Sequence, residues 1–136
     1  MLEYSNNFIA NQLFLNLGAD QFGAPANLEK SQKTVNQYID NNFNWSNYIM
    51  VEGAGLSRKN RLSAKQLIDV LQKFESYRYL MPTQTPNIFA KSGTLENVST
   101  YAGYINRDNQ WSPFAIMINQ AVNFHFREEI AKELAN

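Results

Sequence analysis

The chain has 136 residues, of which 44% are hydrophobic and 13% aromatic, so it can bury a core and is not a disordered tail. Twelve basic and twelve acidic side chains cancel, which excludes the net positive field that binding to nucleic acid or to an anionic membrane requires. The absence of cysteine excludes disulfides, thiolate catalysis and cysteine-ligated zinc. With a single histidine, His125, we expect no metal site and no cofactor, and its aromatic neighbours favour a packing or surface role.

No stretch of the chain is apolar for long enough to form a membrane span. The start, Met1 to Tyr4, has neither the basic nor the apolar region of a secretory signal peptide. We therefore expect no membrane span and no signal peptide in this chain.

The first part of the chain is predicted to be mainly helical. An apolar stripe from Phe8 to Leu17 predicts a helix with Ser5 as its N-cap and Gly18 as its stop. Residues 21–27 contain a glycine and a proline and predict a loop. Helical spacing resumes from Leu28 to Phe43, which predicts a second helix.

The next segment mixes an extended run, a tight loop and a third helix. Trp45 to Val51 favours a strand or an extended segment, and the glycines of Glu52-Gly-Ala-Gly-Leu-Ser-Arg58 require a tight turn. Ser63-Ala-Lys-Gln66 is a capping-box pattern that opens a helix. Pro82 and Pro86 close the helical part, so we assign residues 1–86 to it.

The remaining residues, 87–136, predict a sheet and a final helix. Three strand-like runs cover Asn87 to Lys91, Val98 to Ile105 and Trp111 to Asn119. Short links between them favour an antiparallel three-stranded meander, which the helix predicted from Ala121 to Leu134 would cover on one face. The chain thus predicts an α/β fold of the α+β type.

Two short patterns carry chemistry: Ser5-Asn6-Asn7 at a helix start and Lys91-Ser-Gly-Thr94 at a strand end. Taken singly, the first is most often an N-cap and the second a turn after a strand. Together they suit one task, because an ammonium and two hydroxyls can hold a carboxylate while a serine and an asparagine relay a proton and orient an amide. Without a Cβ at Gly93, a substrate backbone can lie against the strand as an added strand.

The two patterns resemble the second and third motifs of the active-site serine DD-peptidases and β-lactamases, Ser-x-Asn and Lys-Thr/Ser-Gly. Three longer blocks resemble the D-Ala-D-Ala carboxypeptidase/endopeptidase family, a low-molecular-mass, class C group of penicillin-binding proteins. Tyr4 to Leu13 is similar to that family's "SDN..AE.L" segment, Gly53 to Asn60 to its "DGSGLSR.N" loop, and Lys91 to Tyr104 to its "KTGTL..V..LAGY" segment. The resemblance implies that the chain is a C-terminal part of a transpeptidase-like domain.

The resemblance implies acyl transfer, in which a serine attacks the D-Ala-D-Ala bond and an acyl-enzyme is then resolved. Ser5 would pass a proton to the leaving amine, Asn7 would bind the substrate amide, and Lys91 would bond Ser5 and supply positive potential. Ser92 would bind the terminal carboxylate, and the N–H of Thr94, beside Gly93, would be an oxyanion-hole donor.

The chain departs from the family's pattern in three ways. No Ser-x-x-Lys occurs, so neither the nucleophile nor its lysine is present, and we expect the chain alone to be inactive. Ser92 replaces the more usual threonine and Glu52 replaces the usual aspartate. The stretch from Leu80 to Ala90 is shorter than the corresponding family region.

The partners and the location implied by the family are peptidoglycan stem peptides ending in D-Ala-D-Ala, β-lactams, and the bacterial periplasm or another extracytoplasmic site. Carboxypeptidases, endopeptidases and β-lactamases share these motifs, and the loop from Gly53 to Asn60 favours the first two. An alternative is a non-catalytic module that binds a D-Ala terminus. The edge of the last predicted strand would lack its usual partner, so we also expect self-association or low stability.

Overall fold

The computed structural model describes residues 1–135, apart from the side chain of Gln84. The chain divides into two compact units. The first holds Met1 and Glu3–Ser63, and the second holds Leu2 and the chain from Ala64 onward.

The first unit contains two helices, α1 (Asn7–Phe22) and α2 (Leu28–Asn42), which confirms both predicted helices. Asparagine caps each of them. The side chain of Asn6 accepts a hydrogen bond from the backbone N–H of Ile9 at 2.9 Å, and the side chain of Asn27 does the same for Lys30. The prediction of Ser5 as the cap of α1 was therefore wrong by one residue.

Gly18 does not stop α1, as the sequence suggested, but lies inside it. The helix continues to Phe22 and ends before Gly23, whose φ of 77° favours glycine. Gly18 is buried against the N-terminal turn of α2, where Ser31 is fully buried. The glycine therefore serves the packing of α1 on α2 and not the termination of α1.

Between α2 and the end of this unit, the extended segment predicted from Trp45 to Val51 forms no strand. It makes one antiparallel bridge, between Ile49 and Arg61. Backbone hydrogen bonds join the two residues in both directions, at 2.9 and 2.8 Å. This bridge closes the base of the loop that carries Glu52.

The second unit begins with helix α3 (Ala64–Phe74), which continues into a 3-10 helix (Glu75–Leu80). Four strands and a last helix follow: β1 (Thr83–Thr85), β2 (Ile88–Leu95), β3 (Val98–Arg107), β4 (Gln110–Ile118) and α4 (Phe126–Ala135).

The four strands form one antiparallel sheet in the order β1-β2-β3-β4, which confirms the predicted meander. The three-residue strand β1 is an addition that the sequence did not predict, and it pairs only with Ile88 and Phe89 of β2. Strand β2 runs to Leu95, so the pattern from Lys91 to Thr94 lies within the strand and not at its end.

Different helices pack on the two faces of the sheet. On one face Ile88, Ala90, Tyr101, Ile105 and Phe114 pack with Ala131 of α4. On the other face Tyr104 packs with Leu71 of α3 and with Met81, and the Tyr104 hydroxyl donates a hydrogen bond to the Leu71 carbonyl. Strand residues alternate between the faces, which accounts for the near-continuous burial along β3.

Helix α4 covers the sheet as predicted but begins at Phe126, five residues later than the sequence indicated. Residues 121–125 form no helix, and the Asn123 side chain accepts a hydrogen bond from the N–H of His125. A side chain that caps the backbone in this way competes with helix formation, which explains the late start. Within residues 1–135, no helix is both long and apolar enough to cross a membrane.

Candidate functional site

The Ser5-Asn6-Asn7 pattern lies at the start of α1 in the first unit. Ser5 and Asn7 are both exposed, and Asn6 between them is held by its capping bond to Ile9. Ser5 has a φ of 50°, which is uncommon for a residue with a Cβ. Such backbone conformations cluster at functional sites, and here the fixed cap holds two polar side chains toward solvent on either side of it.

The loop from Gly53 to Asn60 is braced against the same helix. The Gly53 N–H donates to the Asn11 side chain at 3.1 Å. A β-carbon at Gly53 would lie 2.6 Å from the β-carbon of Phe14 and 2.9 Å from the carbonyl oxygen of Ala10. Glycine is therefore required for this close approach of the loop to the second and third turns of α1.

Glu52 organises the loop from within. Its carboxylate accepts hydrogen bonds from the backbone N–H groups of Ala54 (2.9 Å) and Ser57 (3.1 Å) and from the side chain of Asn60 (2.6 Å). Asn60 in turn accepts from the N–H of Val51 at 2.8 Å. These local bonds constrain a glycine-rich segment, and a glutamate makes them where the sequence resemblance suggests an aspartate.

In the second unit, Lys91 lies in the middle of β2 and is half-buried. Its ammonium donates a hydrogen bond to the carbonyl oxygen of Ser92 at 2.7 Å. Burial lowers the pKa of the Lys91 ammonium below its ordinary value, and the nearby positive charge of Arg127 lowers it further. Lys91 therefore releases its proton more readily than a lysine side chain in water does.

The backbone of β2 presents an N–H at an open edge. The carbonyl of Gly93 points toward β3, where the Thr100 hydroxyl donates to it at 3.3 Å. A trans peptide directs its carbonyl and its N–H to opposite sides, so the N–H of Thr94 points away from β3. In the part of the chain that the structure describes, this outer edge is covered only as far as Ala90, by β1 at Ile88 and Phe89 and by the hydrogen bond from the Ala90 N–H to the Pro82 carbonyl. The Thr94 N–H therefore lies on a stretch of this edge that no described strand covers.

Packing within the sheet favours glycine at position 93, in addition to the close approach of a substrate backbone that the sequence suggested. A β-carbon there would lie 2.5 Å from the hydroxyl oxygen of Thr100, its cross-strand partner in β3. The obstacle is a side-chain atom and not backbone. The requirement for glycine at this position is therefore conditional on Thr100.

Arg127 is a residue that the sequence did not single out. It lies in the first turn of α4, is 1% exposed, and donates through Nη1 to the Gly93 carbonyl (3.0 Å), the Thr94 hydroxyl (2.8 Å) and the Ser99 hydroxyl (3.0 Å). It borders a cavity of about 220 Å³ between the β2–β3 turn and the segment before α4. The available signal was a basic residue in the first turn of the last helix, where a positive charge is unfavourable.

The structure thus groups the predicted residues in two sets. One set lies at the start of α1 and contains Ser5 and Asn7. The other set lies on β2 and contains Lys91, Ser92, Gly93 and Thr94. His125 is exposed and contacts the carboxylate of Glu128 at 3.2 Å, so it has the surface position expected for it. No cluster of three or more metal-binding side chains occurs among residues 1–135.

Comparison with known proteins decides the family. The model of the D-Ala-D-Ala carboxypeptidase 3 (S13) family matches residues 1–84, which is more than half of the chain. The chain belongs to this family. The resemblance drawn from the three sequence blocks is therefore confirmed.

The chain also resembles individual proteins, at 21–26% identity. D-alanyl-D-alanine carboxypeptidase DacB of Haemophilus influenzae is 26% identical over 129 residues, covering 77% of this chain and 27% of the relative. The crystal structure of penicillin binding protein 4 (dacB) from the same organism matches with a TM-score of 0.81 and 21% identity, over 100% of this chain and 38% of that one.

A second structure of that protein, complexed with a novel β-lactam, matches with a TM-score of 0.80 and 22% identity and is covered to 40%. These likenesses confirm the predicted transpeptidase-like fold. The chain spans little more than a quarter of the length of the curated relative.

Proposed function

We propose that this chain is the substrate-holding part of a serine-type D-Ala-D-Ala carboxypeptidase or endopeptidase, in the C-terminal part of a transpeptidase-like domain. The observation that carries the proposal is the open edge of β2. There the Lys91 ammonium lies against the Ser92 carbonyl, and no strand among residues 1–135 pairs with the Thr94 N–H. A stem peptide could add to this edge as a strand, with its terminal carboxylate near a cation.

The proposed reaction is acyl transfer at the D-Ala-D-Ala bond. A serine outside these 136 residues attacks the carbonyl carbon, and the Thr94 N–H binds the oxygen that becomes negative. The proton that the attacking serine loses passes through Ser5 to the nitrogen of the departing D-alanine as the C–N bond breaks, Asn7 binds the substrate amide, and Ser92 binds the terminal carboxylate. Water then releases the shortened peptide from the serine.

Substrate class and location follow from family membership. We propose peptidoglycan stem peptides as substrates, β-lactams as acylating inhibitors, and the periplasm or another extracytoplasmic compartment of a bacterium as the place of action. The H. influenzae protein whose structure contains a β-lactam supports the second point by analogy. Family membership supports the first.

A gel assay with a fluorescent penicillin tests the proposal. The whole protein that contains this chain should become labelled, whereas the 136-residue chain should not, because it has no Ser-x-x-Lys. Lys91→Ala in the whole protein should slow labelling by about a hundredfold, because it removes the positive charge and the hydrogen bond to Ser5 on which the proposed proton transfer depends. Lys132→Ala, on an exposed position of α4, is the matched control. Labelling of the chain by itself would contradict the proposal.

A second candidate is a module that binds a D-Ala terminus without cleaving it. It is favoured by one observation, the presence of Lys91 and Ser92 in a chain without the nucleophile motif. Calorimetric titration of the chain with a D-Ala-D-Ala peptide separates the two. Little heat is expected for an incomplete enzyme cleft, and saturable heat that Lys91→Ala abolishes would favour the binding module.

A further inference from the structure

The guanidinium of Arg127 is buried although none of its hydrogen-bond partners is charged. Its three partners are the carbonyl of Gly93 and the hydroxyls of Thr94 and Ser99. Its Nε has no partner in the part of the chain that the structure describes. A buried charge without a counter-ion is costly to a fold, so the three hydrogen bonds and the Phe124 ring, whose centroid lies 5.0 Å from Cζ, must offset that cost and hold the guanidinium in one place.

The contact with Gly93 reaches the peptide group that carries the proposed oxyanion donor. The carbonyl of Gly93 and the N–H of Thr94 belong to one planar unit. Fixing the carbonyl at 3.0 Å from Nη1 therefore fixes the direction of the N–H on the opposite side, at the open edge of β2. A positive charge at the carbonyl oxygen also polarises the peptide and makes its N–H a stronger donor.

The contact with Thr94 determines the orientation of its hydroxyl. A guanidinium can only donate, so the Thr94 oxygen accepts from Nη1 and its own proton must point elsewhere. Thr94 is exposed, so its hydroxyl is available as a donor toward solvent. The cross-strand partner Ser99, which is buried, is constrained by the same nitrogen.

We propose that Arg127 is a positioning residue of the β2 edge, which holds the Gly93–Thr94 peptide and the Thr94 hydroxyl as donors toward an anionic substrate group. This inference rests on the proposed function, since it assigns how one part of that site is kept in place. It adds a residue of α4, outside the three resembling blocks, to the residues on which the reaction depends.

The test compares Arg127→Met, which removes charge and donors, with Arg127→Lys, which keeps the charge, in the whole protein. Lys132→Met on the same helix is the matched control. For Arg127→Met we expect kcat for a D-Ala-D-Ala peptide and the rate of acylation by a penicillin to fall about tenfold to a hundredfold. KM should change by less than about threefold, because the loss falls mainly on the transition state. Arg127→Lys should recover part of the rate.

Residue-selective ¹⁵N-threonine NMR supplies a readout that does not depend on activity. The amide signal of Thr94 should shift in Arg127→Met and stay in place in Lys132→Met. Unchanged kcat and acylation in Arg127→Met, with an active wild type, overturn the inference. If Arg127→Met does not fold, Arg127→Gln, which also removes the charge, takes its place, and unchanged kcat and acylation in Arg127→Gln with an unmoved Thr94 signal overturn the inference equally. A wild type without hydrolysis or acylation instead refutes the proposed function, and the Thr94 signal still decides whether Arg127 holds the peptide.

Discussion

Gly18 of α1 and Ser31 of α2 are in such close contact that no side chain fits between them. A β-carbon on Gly18 would lie 2.5 Å from the backbone nitrogen of Ser31 and 2.7 Å from its hydroxyl oxygen. The Ser31 hydroxyl donates to the carbonyl of Asn27 at 2.9 Å, so it is already engaged in the first turn of α2. The two helices are held together at a position where one of them has no side chain.

Gly18→Ala should therefore destabilise the chain despite the higher helix propensity of alanine. Alanine gains up to about 1 kcal/mol in a helix, but overpacking against backbone atoms costs about 1–3 kcal/mol or more. We expect a net loss of about 2 kcal/mol, measured as a lower urea midpoint by circular dichroism. Asn16→Ala, at an exposed position of the same helix, should change the midpoint little. A Gly18→Ala protein as stable as the wild type would contradict the tight contact.

Glu52→Gln should loosen the loop from Gly53 to Asn60. A glutamine keeps one acceptor oxygen but brings an NH₂ group to bonds in which the carboxylate accepts from Ala54, Ser57 and Asn60. The loss of charge-assisted bonds is expected to cost about 2 kcal/mol. Faster amide hydrogen exchange across the loop is the measurement, with Lys59→Ala as the exposed control. Exchange as slow as in the wild type would show that Glu52 does not organise the loop.

Two buried tyrosines should make the protein lose stability in strong base. Burial raises the pKa of Tyr101 and of Tyr104 from 10.0 to about 12. Between those pH values the two tyrosine hydroxyls have lost their protons in the unfolded state but keep them in the folded state, so the free energy of unfolding falls as pH rises. The stabilisation is thus complete below pH 10 and is lost as pH rises through about 12.

Ultraviolet titration of tyrosinate should find a late-ionising fraction, and the melting temperature should fall over the same range. Tyr104→Phe should remove part of that fraction. Ionisation of all seven tyrosines near pH 10 would contradict this burial.

A pair of substitutions tests whether glycine is needed at position 93 for packing against Thr100, for substrate binding, or for both. Gly93→Ala alone places a β-carbon 2.5 Å from the Thr100 hydroxyl oxygen and should destabilise the fold by about 1–3 kcal/mol. Thr100→Ala removes the obstacle, so the double variant should be more stable than the sum of the single changes predicts. If the double variant of the whole protein is folded but is no longer acylated by penicillin, glycine is also needed for the substrate. Full acylation would show that packing alone requires it.

Strand β4 lies at the edge of the sheet and should support association of the isolated chain. Its outer edge pairs with no strand in the part of the chain that the structure describes, although Pro113 already removes one donor from the strand. We expect sedimentation to show larger species as concentration rises. Ala115→Pro, two residues along and thus on the same edge as Pro113, should reduce them. A stable monomer at high concentration would contradict association through the outer edge of β4.

The sequence by itself determined the order of the four α-helices and the three long strands, the meander and the family. Apolar spacing of 3.6 or 2 residues reports which face of each element is buried, and that information is local. The same local signal placed Lys91, Ser92, Gly93 and Thr94 together, because neighbours on a strand are neighbours in sequence. It misassigned Ser5 as a cap, since two adjacent polar residues both suit that role and only the backbone geometry chooses between them.

The tertiary structure alone decided the contacts between residues distant in sequence. Gly18 was predicted to end a helix because the signal for termination is a glycine, whereas its actual role depends on Ser31 in another helix. Arg127 was overlooked because its partners lie 28 to 34 residues earlier and are uncharged. A buried guanidinium bonded to a strand leaves no periodic pattern, since its effect arises only when α4 packs on the sheet and brings it to Gly93 and Thr94.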